Sequence, residues 1–317
     1  MKQTKLIALD WGTSSFRAYR LGDNGEVLEK RPLPWGIMNL PATPGDLDPK
    51  AGFNKAFEEA CGDWLDAEPG TPVIAAGMVG SAQGWKEASY LEVPLSAADI
   101  GTQLTSVTTA RGTTLHIIPG MLERSALPNV IRGEETQVIG ILDDGETADE
   151  ILIGLPGTHS KWVYVQPTTQ RITHFDTFMT GEVFAALSKH TILGRTMQVD
   201  GDTSDAAFLR GAKVGGSDEG RAGILSNIFS SRTLGLIGEL NGAEQAEYLS
   251  GLLIGHEIAA IRAKTDVKTP IILIGNDKLC QRYLQTLLFY GLENVRISAQ
   301  ATERGLWKLA QQANLVS

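Results

Sequence analysis

The sequence predicts an α/β protein of two domains. Three observations predict it. Short, wholly apolar runs end in polar turns and alternate with stretches of helical spacing. A strand–turn–strand unit near the start recurs near mid-chain. The length of 317 residues favours two cores over one.

Leu6-Ile7-Ala8-Leu9 is continuous apolar sequence ending at Asp10, the pattern of a central strand buried on both faces. Trp11 to Ser15 is turn-like and Phe16 to Leu21 resumes as a strand. Gly22-Asp23-Asn24-Gly25 is a hairpin turn leading to Val27-Leu28-Glu29, so the chain opens as a β-meander. Residues 31–50 carry several Pro and Gly and read as a loop. Phe53 to Leu65 has helical spacing, and Val73 to Ala76 is a buried strand before the turn Gly77–Ser81. Leu115 to Ile118 is a strand, and Glu134 to Leu142 a helix. The acidic stretch Asp143 to Glu150 marks a boundary, giving domains 1–145 and 146–317. Ile151 to Leu155 and Lys161 to Val165 are strands around the turn Pro156–Ser160. Helices follow over Glu182–Ser188, Ala206–Leu209 and Glu244–Lys264, with a loop over 211–220. Ile271–Ile274 is a strand, Gly275-Asn276 a turn, Asp277–Tyr290 a helix, and Glu303–Gln312 the closing helix.

Composition narrows the function classes. A net charge of −9 repels phosphate backbones and anionic membranes, which argues against nucleic-acid or membrane partners. Cys61 and Cys280 are far apart and lack CxxC spacing, as expected of reduced core residues. Four apolar residues before Asp10 are too few for a signal-peptide core, and no run approaches a membrane span; the expectation is a cytoplasmic protein. There is no P-loop and no G-x-G-x-x-G motif, so a nucleotide would be bound by another device.

That device is the repeated turn. Asp10-Trp11-Gly12-Thr13-Ser14-Ser15 and Leu155-Pro156-Gly157-Thr158-His159-Ser160 align at an offset of 145 residues through Gly12/Gly157, Thr13/Thr158 and Ser15/Ser160. A tight turn between strands gathers backbone N–H groups into one concavity, and glycine lets an anion come close. Gly-Thr-Ser is also ordinary hairpin chemistry, so the turns alone leave both meanings open. Asp10 adds the deciding chemistry. A carboxylate at the end of a buried strand is costly unless paired, and beside a phosphate it is repelled unless a cation lies between. Mg²⁺ takes oxygen ligands and bridges carboxylates to phosphates. Arg17 and Lys161 follow the two turns and would offset phosphate charge. Capping of the following turn is the competing role for Asp10.

The stretches LDWGTSSFRAYRL, IRGEETQVIG, LPGTHSKWV, YLSGLLIGHEI and IGNDKL, in that order, resemble the 2-dehydro-3-deoxygalactonokinase family. That family lies within the superfamily of acetate and sugar kinases, heat-shock ATPases and actin. Asp10-x-Gly12-Thr13-x-x-x-Arg17 is similar to its phosphate-1 motif, the mid-chain turn to phosphate-2, and the late strand–Gly–helix to the adenosine motif. The resemblance implies two ribonuclease H-like (actin-like ATPase) domains with mixed sheets flanked by helices, closing over a cleft that holds the active site. It also implies an ATP-dependent kinase acting on the 6-hydroxyl of 2-dehydro-3-deoxy-D-galactonate, in galactonate breakdown.

On that resemblance Gly12, Thr13, Ser14, Gly157, Thr158, His159 and Ser160 would face phosphates, with Arg17 and Lys161 beside them. Asp10 would hold Mg²⁺ through water, and Gly275 and Asn276 would pass the adenosine. Gly251 and Gly255 would leave room for the nucleotide or serve helix packing. The general base would be Glu134 or Glu135. Consecutive helical residues diverge by about 100°, so one of the two faces the cleft, and register against Gly140 favours Glu134. Acids in a first turn also suit the helix dipole. The sugar-acid carboxylate would find Arg124, Arg132 or the Gly77–Ser81 turn, with Trp11 as a wall. An exposed arginine or a core tryptophan accounts for these residues equally well. The competing functions are an exopolyphosphatase-like phosphohydrolase, which would need a basic channel, and a nucleotide-gated scaffold protein.

Overall fold

A computed structural model describes residues 2–142 and 147–317. The chain divides into two compact units. One comprises Met1–Asp149, Val163–Phe175 and Ser298–Ser317; the other comprises Glu150–Trp162 and Asp176–Ile297. The sequence boundary at 145/146 falls on residues outside those described.

The first unit opens as β1 (Leu6–Trp11), β2 (Phe16–Leu21) and β3 (Val27–Leu33). These form the expected antiparallel meander, with Asp10 in register opposite Arg17. Pro32 sits in β3, at the sheet edge, where a missing N–H costs no ladder bond. Helix α1 (Ala51–Ala67) presents Phe53, Phe57, Cys61 and Trp64 to the core. β4 (Val73–Ala76) then runs parallel to β1, pairing Asp10 with Ala76. β1 is central in its sheet and buried from Leu6 to Leu9, in keeping with an apolar run covered on both faces. There follow β5 (Tyr90–Glu92), β6 (Leu95–Ser96), α2 (Ala97–Thr102), β7 (Thr105–Thr108), β8 (Thr114–Ile117), β9 (Gly120–Glu123), β10 (Asn129–Ile131) and α3 (Glu134–Ile141). The main sheet has the order β3-β2-β1-β4-β8-β7, and β10-β9-β5 form a small second sheet.

The later chain contains β11 (Ile151–Leu155), β12 (Ser160–Gln166), β13 (Arg171–Phe178), α4 (Thr180–His190), α5 (Asp205–Ala212), α6 (Ile224–Asn227), α7 (Ser230–Leu236), α8 (Gly242–Lys264), β14 (Ile271–Ile274), α9 (Asp277–Phe289), β15 (Val295–Ser298) and α10 (Ala301–Gln312). β11 and β14 pair in parallel, Ile153 opposite Ile272. The order β13-β12-β11-β14-β15 reproduces β3-β2-β1-β4-β8, so the repeat seen in the turns extends to the sheets. Both sheets mix a three-stranded meander with parallel strands, the ribonuclease H-like arrangement that the resemblance implies.

Two helix crossings are close enough to exclude side chains. A Cβ on Gly140 of α3 would lie 1.9 Å from the carbonyl oxygen of Ala301, and one on Gly305 of α10 would lie 1.8 Å from that of Thr136. On α8, Gly251 and Gly255 meet the backbone of α5 in the same way, at Phe208 and Ala212. Helix packing therefore accounts for Gly251 and Gly255. The stretch 211–220, expected as a loop, begins at the end of α5 and continues as short 3₁₀ turns over Lys213–Gly216 and Glu219–Ala222. No helix among the described residues is long and apolar enough to cross a membrane.

Candidate active site

In the first unit, three chain segments meet at the C-terminal ends of β1 and β4. Gly77 turns the chain out of β4 with φ +96°, and a Cβ there would lie 2.7 Å from the carbonyl oxygen of Trp11. Gly133, at φ +115°, packs on Gly77, its own would-be Cβ 3.2 Å from the Gly77 Cα. Both positions require glycine, through left-handed backbone and lack of room. Their contact places the start of α3, with Glu134 and Glu135, beside the end of β1, with Asp10.

The turn after β1 is closed by a hydrogen bond from Gly12 N–H to Ser15 O of 2.9 Å. Ile37 and Met38 N–H groups take the outward carbonyls of Gly12 and Thr13, so the turn is braced from one side. Residues 13–15 are exposed. Arg17 donates to Asp10 Oδ2 at 2.9 Å. Burial pushes the Asp10 carboxyl above the usual carboxylate range, against the lowering pull of Arg17; Glu303 adds to the rise. Among the described residues the hydrogen bond to Asp10 falls on Oδ2, which leaves Oδ1 as a hard oxygen donor suited to a cation. No group of three or more His, Cys, Asp or Glu gathers a metal among the described residues. A single carboxylate fits a cation carried in by phosphates better than one held in a protein cage.

The two glutamates differ sharply. Glu135 is fully buried; its carboxylate accepts from Gly133 N–H at 2.6 Å and from Thr136 Oγ1 at 3.3 Å. Burial, reinforced by the charge of Glu134, pushes its pKa up to about 7. Glu134 is partly exposed and accepts from the Arg132 N–H at 3.3 Å. Of the pair, Glu134 is the one open to solvent.

In the second unit the turn Pro156–Ser160 is met by the start of α4 and the start of α9. A Cβ on Gly181 would lie 2.5 Å from Gly157 O, and Glu182 N–H donates to Thr158 O at 3.0 Å. His159 pairs through Nε2 with Glu182. Gly275 approaches Pro156 O, and Asn276 caps α9 by accepting from Leu279 N–H at 3.2 Å. Gly157 has open space where a side chain would be. A glycine turn beside the N-terminus of a 13-residue helix is suited to anions.

Several sequence candidates sit elsewhere. Trp11 is fully buried, stacked on Phe16 with ring centroids 4.0 Å apart, and donates to Trp35 O at 2.7 Å; it is core, not a pocket wall. Arg124 is exposed and its guanidinium is taken by Glu92 at 3.0 Å. Ser160 is buried and bonded to Tyr283 at 2.8 Å, and Lys161 is buried with its Nζ on Thr177 at 3.0 Å, so neither offers its side chain to an open turn. Strand pairing makes the difference, since Ser160 and Lys161 already belong to β12. Arg132 is held by Ala88 O at 2.8 Å and lies over the Tyr90 ring. Its Nη1 and the Ser81 Oγ are buried without hydrogen-bond partners among the described residues. A Cβ on the intervening Gly80 would lie 3.0 Å from that Nη1, so both orphaned donors border the Gly77–Ser81 turn. Sequence reasoning missed Gly133, Gly181 and Glu182. Gly133 had a signal, as a glycine directly before a helix start.

A doubled meander-and-parallel sheet, an acid ending the first strand and two glycine turns define a phosphoryl-transfer enzyme of the α/β class. The family model described as 2-keto-3-deoxy-galactonokinase matches residues 10–309. The chain belongs to that family. It is 36% identical over 308 residues to the 2-dehydro-3-deoxygalactonokinase of Escherichia coli (strain K12), covering 96% of this chain and 97% of that one. It is 35% identical over 314 residues to a Rhizobium meliloti (strain 1021) protein provisionally given the same name, covering 95% and 97%. A crystal structure from Sinorhizobium meliloti, also provisionally named so, superposes with a TM-score of 0.85 at 34% identity over 96% of this chain and 98% of that one.

Proposed function

We propose that the protein transfers the γ-phosphoryl group of ATP to the 6-hydroxyl of 2-dehydro-3-deoxy-D-galactonate. The observation that carries this is the convergence of Asp10, Gly77 and Gly133–Glu134 at one end of the first sheet, in a chain of this family. Phosphoryl transfer asks a protein for positioning, charge neutralisation and a base near the acceptor. Glu134 takes the proton of the 6-hydroxyl as the new O–P bond forms and the bond to ADP breaks. Glu135 fixes the helix start through Gly133. The N–H groups and hydroxyls of residues 12–14, with Arg17 beside them, suit phosphate oxygens, and the turn of residues 157–159 offers the same kind of donors in the second unit. Gly275 and Asn276 border the adenosine. Asp10 would hold Mg²⁺ through water, and the ion would neutralise charge on the phosphates.

Arg132 and Ser81 are the donors assigned to the sugar-acid carboxylate. An unpaired buried donor costs about 1–3 kcal/mol, which a carboxylate partner offsets. A coupled assay with 2-keto-3-deoxy sugar acids tests the function. ADP release should depend on the acceptor, and the product of the galactonate derivative should be its 6-phosphate. ATP turnover indifferent to every acceptor would refute it. Arg132→Lys should raise KM for the acceptor and leave KM for ATP in place; the reverse split would remove Arg132 from carboxylate binding.

A further inference from the structure

Glu257 lies on α8, 2% exposed, in a segment where neighbouring core positions are Leu252, Leu253, Ile254, Ile258 and Ile261. A carboxyl there is expensive to bury, and a leucine would pack without that cost. What the carboxyl gathers explains its presence. Trp162 Nε1–H donates to Oε1 at 2.7 Å. Tyr283 OH donates to Oε2 at 2.8 Å, and Thr180 Oγ1 donates to the same oxygen. Since the Tyr283 proton points at Glu257, the 2.8 Å contact between Ser160 and Tyr283 is made by the serine proton. A relay thus runs from Ser160 through Tyr283 to Glu257.

The donors are tied to the second glycine turn through its flanking residues. Ser160 is its last residue, and Trp162 follows two residues on along β12. Thr180 opens α4, whose next two residues touch the turn, Gly181 at Gly157 O and Glu182 at Thr158 O. We propose that Glu257 is a positioning residue that fixes the shape of the 157–160 turn, and through it the affinity for the nucleotide phosphates. The inference rests on the assignment of that turn to ATP. Three donors converging on one group need an acceptor with more than two lone-pair sites, which a carboxylate has. A glutamine offers one such oxygen and turns N–H groups toward donors. Isosteric replacement therefore breaks the relay without changing the volume.

The test compares Glu257→Gln, Tyr283→Phe and Gly157→Val in the full chain. The probe is a non-hydrolysable ATP analogue, titrated calorimetrically, with KM for ATP and for the acceptor measured alongside. Tyr283→Phe removes the hydroxyl that joins Ser160 to Glu257 and leaves the Trp162 and Thr180 bonds, so it answers even where Glu257→Gln fails to fold. Loss of one such buried hydrogen bond is worth about a tenfold change. The expected result is analogue binding weakened about tenfold in both relay variants, with acceptor KM within about twofold of the parent enzyme. A generally loosened structure would move both KM values together, and that result would overturn the positioning role. Gly157→Val places a side chain in the open turn and reports on the turn itself. If it abolishes analogue binding while a folded Tyr283→Phe binds normally, the inference fails alone. If neither variant weakens binding, the assignment of the turn to ATP fails with it.

Discussion

Glu134 and Glu135 are adjacent in sequence and opposite in environment, and the difference divides their work. Glu134→Gln removes the proposed base, which typically contributes about 10²–10⁴-fold in rate; kcat should fall by that order with KM for ATP little changed. Retained kcat would exclude Glu134. Glu135 carries a stability signature instead. Its folded pKa is raised from 4.5 to about 7, so the folded state binds the proton more tightly than the unfolded chain. Its contribution is most favourable below about pH 4.5 and is lost progressively as pH rises to about 7, reaching up to about 3 kcal/mol. Glu135→Gln should therefore raise Tm at pH 8 and change the difference little at pH 4.5; thermal melts at the two values check it. Tm lowered equally at both would refute this. Asp10→Asn keeps the shape of the side chain and removes its charge, so turnover should fall steeply and the Mg²⁺ requirement should rise. Near-normal activity at low Mg²⁺ would take Asp10 out of the metal role.

At the scale of elements, the crossing of α3 and α10 depends on what is missing from Gly140 and Gly305. Methyl groups there would lie 1.9 and 1.8 Å from backbone carbonyl oxygens, which cannot rotate away as side chains can. Gly305→Ala should destabilise by about 1–3 kcal/mol or more, read as a lower urea midpoint. An unchanged midpoint would mean that the helices slide apart freely. The elements most visible in the sequence are those with one environment along their length, such as β1, β11 and β14, buried at nearly every position. Strands missed by sequence reasoning are mixed. β13 reads Arg-Ile-Thr-His-Phe-Asp-Thr-Phe, and its His174 and Phe175 both bond to Glu123, a partner 51 residues distant for His174. Such pairing has no local signal. The same holds in the site: Asp10 and the two turns stand out as strand-ending motifs, whereas the bracing of Gly157 by Gly181 is visible only in three dimensions. Trp11 misleads for the opposite reason. Its neighbours in sequence are site residues, while its alternation on β1 turns it into the aromatic core with Phe16, Phe53 and Trp85.

For the whole molecule, the repeated strand order shows that the alignment of two short turns marked a duplication of architecture, though three matched residues would hardly establish it. Scale also sets the electrostatics. The chain carries −9, and both proposed substrates are anions. Long-range attraction cannot deliver them, so the proposed binding rests on short-range donors such as turn N–H groups, Arg17 and Arg132. Such contacts are little screened, whereas the repulsion of the molecule as a whole is strongly screened. Raising ionic strength from about 0.01 to about 0.15 M shortens the screening length from about 30 to about 8 Å. For a compact nucleotide and a small acid, kcat/KM should therefore stay level or rise over that range. A polyphosphate-degrading enzyme with a basic channel would behave in the opposite way, since many charge contacts would be lost together. Steady-state rates with ATP across this salt series, at constant Mg²⁺, decide between them. A fall of about tenfold would mean that attraction over distance drives binding, and would count against a small-molecule kinase.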